Sequence, residues 1–125
     1  MNIKKDMSEH THQSTLMTWA AWNTVKYPQL ELLYAIPNSG ITNAIRGKHF
    51  NDEGRKSGIP DICLPCKSAN GLYNALYIEL KIKGGKLTES QKIMIEKLNA
   101  AGNHACVCYG WTEARDKILQ YLGAS

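Results

Sequence analysis

Three residues carry the strongest chemical signal in this 125-residue chain: Asp61, Glu79 and Lys81. Glu79 and Lys81 lie in the run Ala75-Leu76-Tyr77-Ile78-Glu79-Leu80-Lys81-Ile82. Its alternation puts Leu76, Ile78, Leu80 and Ile82 on one face of a strand and Tyr77, Glu79 and Lys81 on the other. Asp61 opens a neighbouring strand-like run, Asp61-Ile62-Cys63-Leu64, and can lie beside Glu79 across a sheet. Two carboxylates brought together repel, and burial raises the cost of keeping both ionised. A divalent cation removes that difficulty, and oxygen ligation suits Mg²⁺ or Mn²⁺. Lys81 alongside would help orient or deprotonate a water, and such a site suits phosphodiester hydrolysis. Taken alone, however, Glu-x-Lys equally describes an exposed polar strand face with an ion pair of little energetic worth.

The elements that must position these residues follow from periodicity and punctuation. A first helix is predicted from near Ser8 to before Pro28, with Leu16, Met17, Ala20 and Val25 facing inward. Extending that stripe backwards in 3.6-residue steps reaches Gln13 and Glu9. Leu32 to Ile36 is apolar on both faces, as a buried strand would be, and stops at the turn cluster Pro37-Asn38-Ser39-Gly40. About twenty residues without a clear period then run to Gly58, a length that in a compact domain is usually functional or mobile. After the strands at 61–64 and 75–82, a helix is predicted from Thr88 to its closing Gly102. A buried strand over 105–109 follows, then a helix from Thr112 to Leu122 that buries Ala114, Ile118, Tyr121 and Leu122. The strand–helix–strand segment over 75–109 implies a right-handed parallel crossover. The earlier strands are close enough to pair antiparallel, giving a mixed α/β sheet flanked by helices in the order α-β-β-β-α-β-α.

Composition narrows the class. With 43% hydrophobic and 21% charged residues the chain is neither disordered, collagenous nor a coiled coil. Its length suits a single domain over 1–125, with 1–7 as a flexible N-terminus, and needs no disulfide or metal to fold. No apolar run approaches the roughly 20 residues of a membrane span. The opening MNIKKDMSEH lacks the apolar stretch of a secretory signal, so a reducing, cytoplasmic setting is expected. Free, buried thiols are then the default for Cys63, Cys66, Cys106 and Cys108. Cys63-Leu64-Pro65-Cys66 has redox spacing but no helix start, and Cys106-Val107-Cys108 lacks the usual two-residue gap of a zinc site. The net charge of +4 permits a polyanionic partner without demanding one. Trp19, Trp22 and Trp111 read as packing residues. His10, His12 and His49 read as solvated or DNA-facing, with no chemistry assigned.

The whole arrangement is more specific than its parts. GIPDICLP followed by YIELKIKGGKLTESQ resembles the PD-(D/E)XK nuclease pattern, with Pro60-Asp61 on one strand and Glu79-Leu80-Lys81 on the next. More closely, the chain from Glu9 to about Leu122 resembles the VRR-NUC (virus-type replication-repair nuclease) family. IPNSG before the loop, GRKSGIPDI after it and LTESQ at the helix start carry that likeness. The resemblance implies a restriction-endonuclease-like PD-(D/E)XK core and a divalent-metal-dependent DNA endonuclease. It implies Asp61, Glu79 and the Leu80 backbone carbonyl as metal ligands for Mg²⁺ or Mn²⁺, and Lys81 as the catalytic lysine. Gln91 matches the family's glutamine at the start of the following helix, although Thr88-x-x-Gln91 is also a capping box. Glu9 matches the first-helix glutamate, although an acidic residue there also suits the helix dipole.

Arg46, Lys48, Arg55 and Lys56 are candidate phosphate contacts that would hold DNA without reading its sequence, with Lys83 and Lys86 as weaker ones. Stand-alone members of the family are associated with homodimers and Holliday-junction cleavage, so a dimer acting on branched DNA is expected. The first helix, with Trp19 and Trp22, is the candidate contact surface. No small-molecule cofactor and no membrane are expected. The alternative is a DNA-binding module that keeps the fold without cleavage, and the metal site alone does not separate DNA from RNA.

Overall fold

The computed structural model describes residues 7–37, 54 and 56–124. Helix α1 runs Glu9–Trp22. Its N-cap is Ser8, whose hydroxyl accepts the Thr11 N–H at 3.1 Å, so the predicted start holds. Leu16 and Ala20 are fully buried, and Met17 packs beside them. Burial of a leucine to this degree contributes about 1.5–3 kcal/mol. The helix stops earlier than the sequence pattern predicts. It ends at the Asn23 cap, so Val25, expected inward, is 96% exposed.

Leu32 to Ile36 also departs from expectation. Pro28 opens a short 3-10 turn, Pro28–Leu32, because its fixed φ and missing N–H suit the first position of a helical turn. Only Tyr34–Ala35 remains extended, as strand β1, and both of its residues are exposed. It lies at the edge of the described sheet, so among the described residues one flank has no strand to cover it.

Strand β2 is Ile62–Leu64, β3 is Leu76–Lys81 and β4 is His104–Tyr109. The described strands form one mixed sheet in the order β1-β2-β3-β4, antiparallel for the first two pairs and parallel between β3 and β4. Helix α2, Glu89–Ala100, provides the parallel crossover, and α3, Trp111–Tyr121, follows β4. Gly102, at φ 95, closes α2 as its sequence position predicts.

The core is one-sided. Leu64, Leu76, Ile78, Leu80, Ile62 and Cys108 pack under α1 and α3, whose Leu16, Ala114 and Ile118 are completely buried. The two helices are joined at their N-terminal ends. His12 Nδ1 accepts the Trp111 N–H at 3.0 Å, capping α3 where its own N-cap, Gly110, has no side chain. His12 is therefore half-buried and structural, not solvated as the sequence implies. Helix α2 lies on the opposite face, where no residue of it is buried. The Asn99 side chain pins its end to β4, exchanging two hydrogen bonds with the Ala105 backbone.

Two further expectations need correction. Tyr109, placed in a buried strand by its pattern, is 41% exposed because β4 is the other edge of the described sheet. Trp22 is 83% exposed at the end of α1, whereas Trp19 and Trp111 pack against the core. All four cysteines are free thiols; Cys63 and Cys108 are buried, and Cys66 and Cys106 half-buried. Among the described residues no helix is long and apolar enough to cross a membrane.

Candidate active site

The alternation of β3 decides which side chains can meet. Leu76, Ile78 and Leu80 enter the core, and Glu79 and Lys81 therefore project from the opposite face. Pairing between β2 and β3 ends at Ile62–Ile78, because Pro60 has no N–H to extend it. Asp61, just before β2, takes over with its side chain. Its Oδ2 accepts the Leu80 N–H at 2.8 Å, which fixes the carboxylate beside Glu79.

A hollow of about 620 Å³ opens here. Asp61, Glu79, Leu80 and Lys81 line it from the sheet, Glu9, His10 and Gln13 from the first turns of α1, and Gln91 from α2. Ile36 and Pro37, where the chain leaves β1, form another wall. The backward extension of the α1 stripe to Gln13 and Glu9 thus meets the sheet site. Gln91 has two contacts of different kinds. Its Oε1 accepts the Thr88 N–H at 2.9 Å, and Thr88 Oγ1 accepts the Gln91 N–H at 3.2 Å, completing the capping box. The same residue lines the hollow.

Gly58 makes this convergence possible. Its φ is +81, and a Cβ there would collide with the Ser90 carbonyl in the first turn of α2. The segment leading into Asp61 can thus lie directly against the helix that carries Gln91. Ser57 Oγ adds a 3.2 Å hydrogen bond to Ser90 Oγ.

Electrostatically, Glu79 is the unusual residue. It is 3% exposed, and its Oε1 has no hydrogen-bond partner among the described residues. Burial first, and then the adjacent Asp61 carboxylate, push its carboxyl up to about 8, with Lys81 opposing and Glu9 adding to the rise. Lys81 Nζ stands 3.9 Å from Glu79 Oε2, too far for a short ion pair. A buried carboxyl with one unclaimed oxygen, beside a half-buried carboxylate and with its nearest cation among the described residues at 3.9 Å, is costly unless something positive joins it. The donor set fits a hard divalent cation held by Asp61, Glu79 and the Leu80 carbonyl. Among the described residues no cluster of three or more His, Cys, Asp or Glu side chains is arranged to hold a metal. Water or substrate oxygens would then complete the shell, the habit of Mg²⁺.

Lys56 is exposed and is not part of the hollow's lining. Arg46, Lys48 and Arg55 lie outside the described residues, as does His49. In the sequence His10 carries no assigned chemistry and Gln13 is only a step along a stripe, yet both line the hollow. Their spacing from Glu9, one and four residues, together with the Ser8 cap that fixes the helix start, was the available signal.

Comparison with known proteins follows the same outline. A solved structure described as a VRR_NUC domain protein superposes with a TM-score of 0.82 at 27% sequence identity, covering 98% of this chain and 93% of that one. No curated protein sequence matches. Residues 2–111 match the VRR-NUC domain. With nearly the whole chain inside that match, this protein belongs to the VRR-NUC family and has its nuclease-type fold.

Proposed function

We propose that this protein is a divalent-metal-dependent endodeoxyribonuclease with a PD-(D/E)XK site at Asp61, Glu79 and Lys81. The observation that carries the reading is the buried Glu79 carboxyl, with one oxygen unpartnered, beside an Asp61 carboxylate fixed by the Leu80 N–H. Asp61, Glu79 and the Leu80 carbonyl would hold Mg²⁺ or Mn²⁺. When bound, the cation supplies Lewis-acid polarisation of the scissile phosphate and lowers the pKa of water.

The chain's own residues do the rest. The Leu80 N–H holds Asp61 in one orientation, so no reorganisation is needed at the moment of reaction. Lys81 Nζ orients the attacking water and offsets the negative charge that builds on the phosphate. The Gln91 carboxamide nitrogen, left over after its oxygen caps α2, is a donor toward the same water. Glu9, across the hollow, adds a second-tier acceptor and His10 a phosphate contact. Arg46, Lys48, Arg55 and Lys56 hold the DNA backbone without reading sequence. Hydrolysis leaves a 5′-phosphate and a 3′-hydroxyl.

The finer reading is a two-fold homodimer acting on branched DNA such as Holliday junctions. One hollow cuts one strand, and cutting two strands in concert needs two hollows at a fixed separation. Trp22, with its ring in solvent at the end of α1, supports that helix as the contact surface; Trp19 is partly buried in the core and adds less.

Plasmid nicking tests the reaction. Wild type with Mn²⁺ should nick, whereas wild type in EDTA and Asp61→Asn with Mn²⁺ should not. Nicking that survives in EDTA contradicts the reading, and DNA binding without nicking in any metal would identify a non-catalytic module. A panel of duplex, flap and four-way-junction DNA, run beside analytical ultracentrifugation, tests the finer reading. A strict monomer that nicks junctions at random would overturn it.

A further inference from the structure

At the other end of β3, about 16 Å of strand from Lys81, a separate cavity of about 350 Å³ lies between the 68–73 turn, the start of β4 and the last turns of α3. Its polar lining includes Asn70, Tyr73, His104, Lys117 and Gln120. Among the described residues that line it there is no carboxylate.

Hydrogen-bond accounting gives this cavity a sign. Most of the acceptors are already used. Asn70 Oδ1 receives both the Ser68 hydroxyl at 2.7 Å and the Leu72 N–H at 3.0 Å. Gln120 Oε1 receives Lys117 Nζ at 3.2 Å. Ser68 Oγ receives the Tyr73 N–H, and the Tyr121 hydroxyl donates away to the Cys66 carbonyl at 2.7 Å. The carbonyls of Ile118, Leu119, Gln120 and Tyr121, which would otherwise draw a cation to the end of α3, are all bonded to backbone N–H groups. What remains is mostly donors: Asn70 Nδ2, Gln120 Nε2, the other hydrogens of Lys117 Nζ and a ring N–H of His104, while the Tyr73 hydroxyl can donate or accept and the second His104 nitrogen becomes a donor on protonation. Among the described residues none of these four has a carboxylate partner.

We propose that this cavity is an anion subsite, separate from the Asp61–Glu79 hollow, that binds the phosphate group of a nucleotide or of a nucleic-acid strand. Four donor groups, one of them a full cation, match a tetrahedral anion with several oxygens better than a planar carboxylate. The volume exceeds what a bare phosphate needs and lies in the range of small-molecule sites. The Tyr73 ring, edge-on to His104 at 4.9 Å, gives the cavity an aromatic wall against which an attached sugar could pack. Burial and the neighbouring Lys117 hold His104 below its ordinary pKa. A bound anion offsets the Lys117 charge and stabilises the imidazolium, so His104 itself reports occupancy.

The test is an NMR titration of the His104 imidazole in the full chain, kept in EDTA so that no cation occupies the catalytic hollow. His104→Gln identifies the resonance, and the probes are inorganic phosphate, AMP and a short single-stranded oligonucleotide. Phosphate and AMP should each give saturable shifts and raise the pKa of His104. Lys117→Gln should weaken that binding about tenfold, while Lys97→Gln, in the last turn of α2 and outside the cavity's lining, should leave it unchanged. Shifts with the oligonucleotide alone would assign the subsite to a nucleic-acid backbone. No saturable shift with any probe would overturn the proposal, as would equal weakening by Lys117→Gln and Lys97→Gln.

Discussion

The two faces of the sheet are built for different ends. Under α1 and α3, Ile62, Leu64, Leu76, Ile78 and Leu80 meet Leu16, Ala114 and Ile118, all of them almost wholly excluded from water. Under α2 nothing on the helix is buried, and the strands present Glu79 and Lys81. One face is dry and close-packed, which is where cavities are costly. The other leaves a hollow and confines a carboxylate that burial disfavours as an anion. Stability is concentrated on the first face so that the second can carry charge that would otherwise be expensive.

That contrast can be broken most severely on the charged face. Asp61→Asn and Glu79→Gln should each lower DNA cleavage by about 10³-fold or more, while circular dichroism shows an unchanged fold. Lys81→Ala should also remove cleavage but keep much of the Mn²⁺ affinity. On the packed face the same size of change should appear in stability. Ile118→Ala is expected to cost about 2–5 kcal/mol in urea unfolding, and Met94→Ala on α2 under about 2 kcal/mol. Equal costs at the two positions would erase the distinction between the faces.

A smaller effect follows from Glu79 in the metal-free protein. Its folded carboxyl keeps a proton up to about 8, whereas the unfolded one releases it near 4.5. Between those values the folded chain binds more protons, so stability is full below the lower one and falls as pH rises through the upper. Urea midpoints in EDTA should therefore drop across that window, by on the order of 2 kcal/mol, and Glu79→Gln should flatten the slope. The smallest effect concerns the join between α1 and α3. His12→Ala should cost about 1 kcal/mol through loss of the Trp111 cap. His12→Asn, which places an oxygen near the Nδ1 position, should recover part of it.

Much of this is legible in the amino-acid sequence itself. Ser8 and Thr88 announced their helices because capping is local chemistry, readable from a few adjacent residues. Asp61, Glu79 and Lys81 could be placed together because strand alternation fixes the face of every side chain. What escaped depends on contacts between distant segments. The His12–Trp111 bond spans ninety-nine positions, and no pattern in either helix signals it. The collision that a side chain at Gly58 would cause arises from the first turn of α2, thirty-two residues away in Ser90. Val25 continued an apolar stripe by type, but the helix had already ended at Asn23. Leu32 to Ile36 looks buried because its residues are apolar, and Leu33 is, yet burial depends on neighbours, and β1 sits at an edge of the described sheet. The unpartnered Glu79 Oε1 likewise belongs to the packing around it and not to the residue type.

Calorimetric titration of Mn²⁺ into the metal-free protein, near neutral pH and in two buffers of different ionisation enthalpy, tests the proposed metal site most directly. The raised Glu79 carboxyl should give up its proton as the cation joins it. Saturable binding with release of nearly one proton is expected, and both the proton release and most of the affinity should vanish in Glu79→Gln. Binding that persists unchanged in Glu79→Gln, or no binding in the wild type, would contradict a metal site at Asp61 and Glu79.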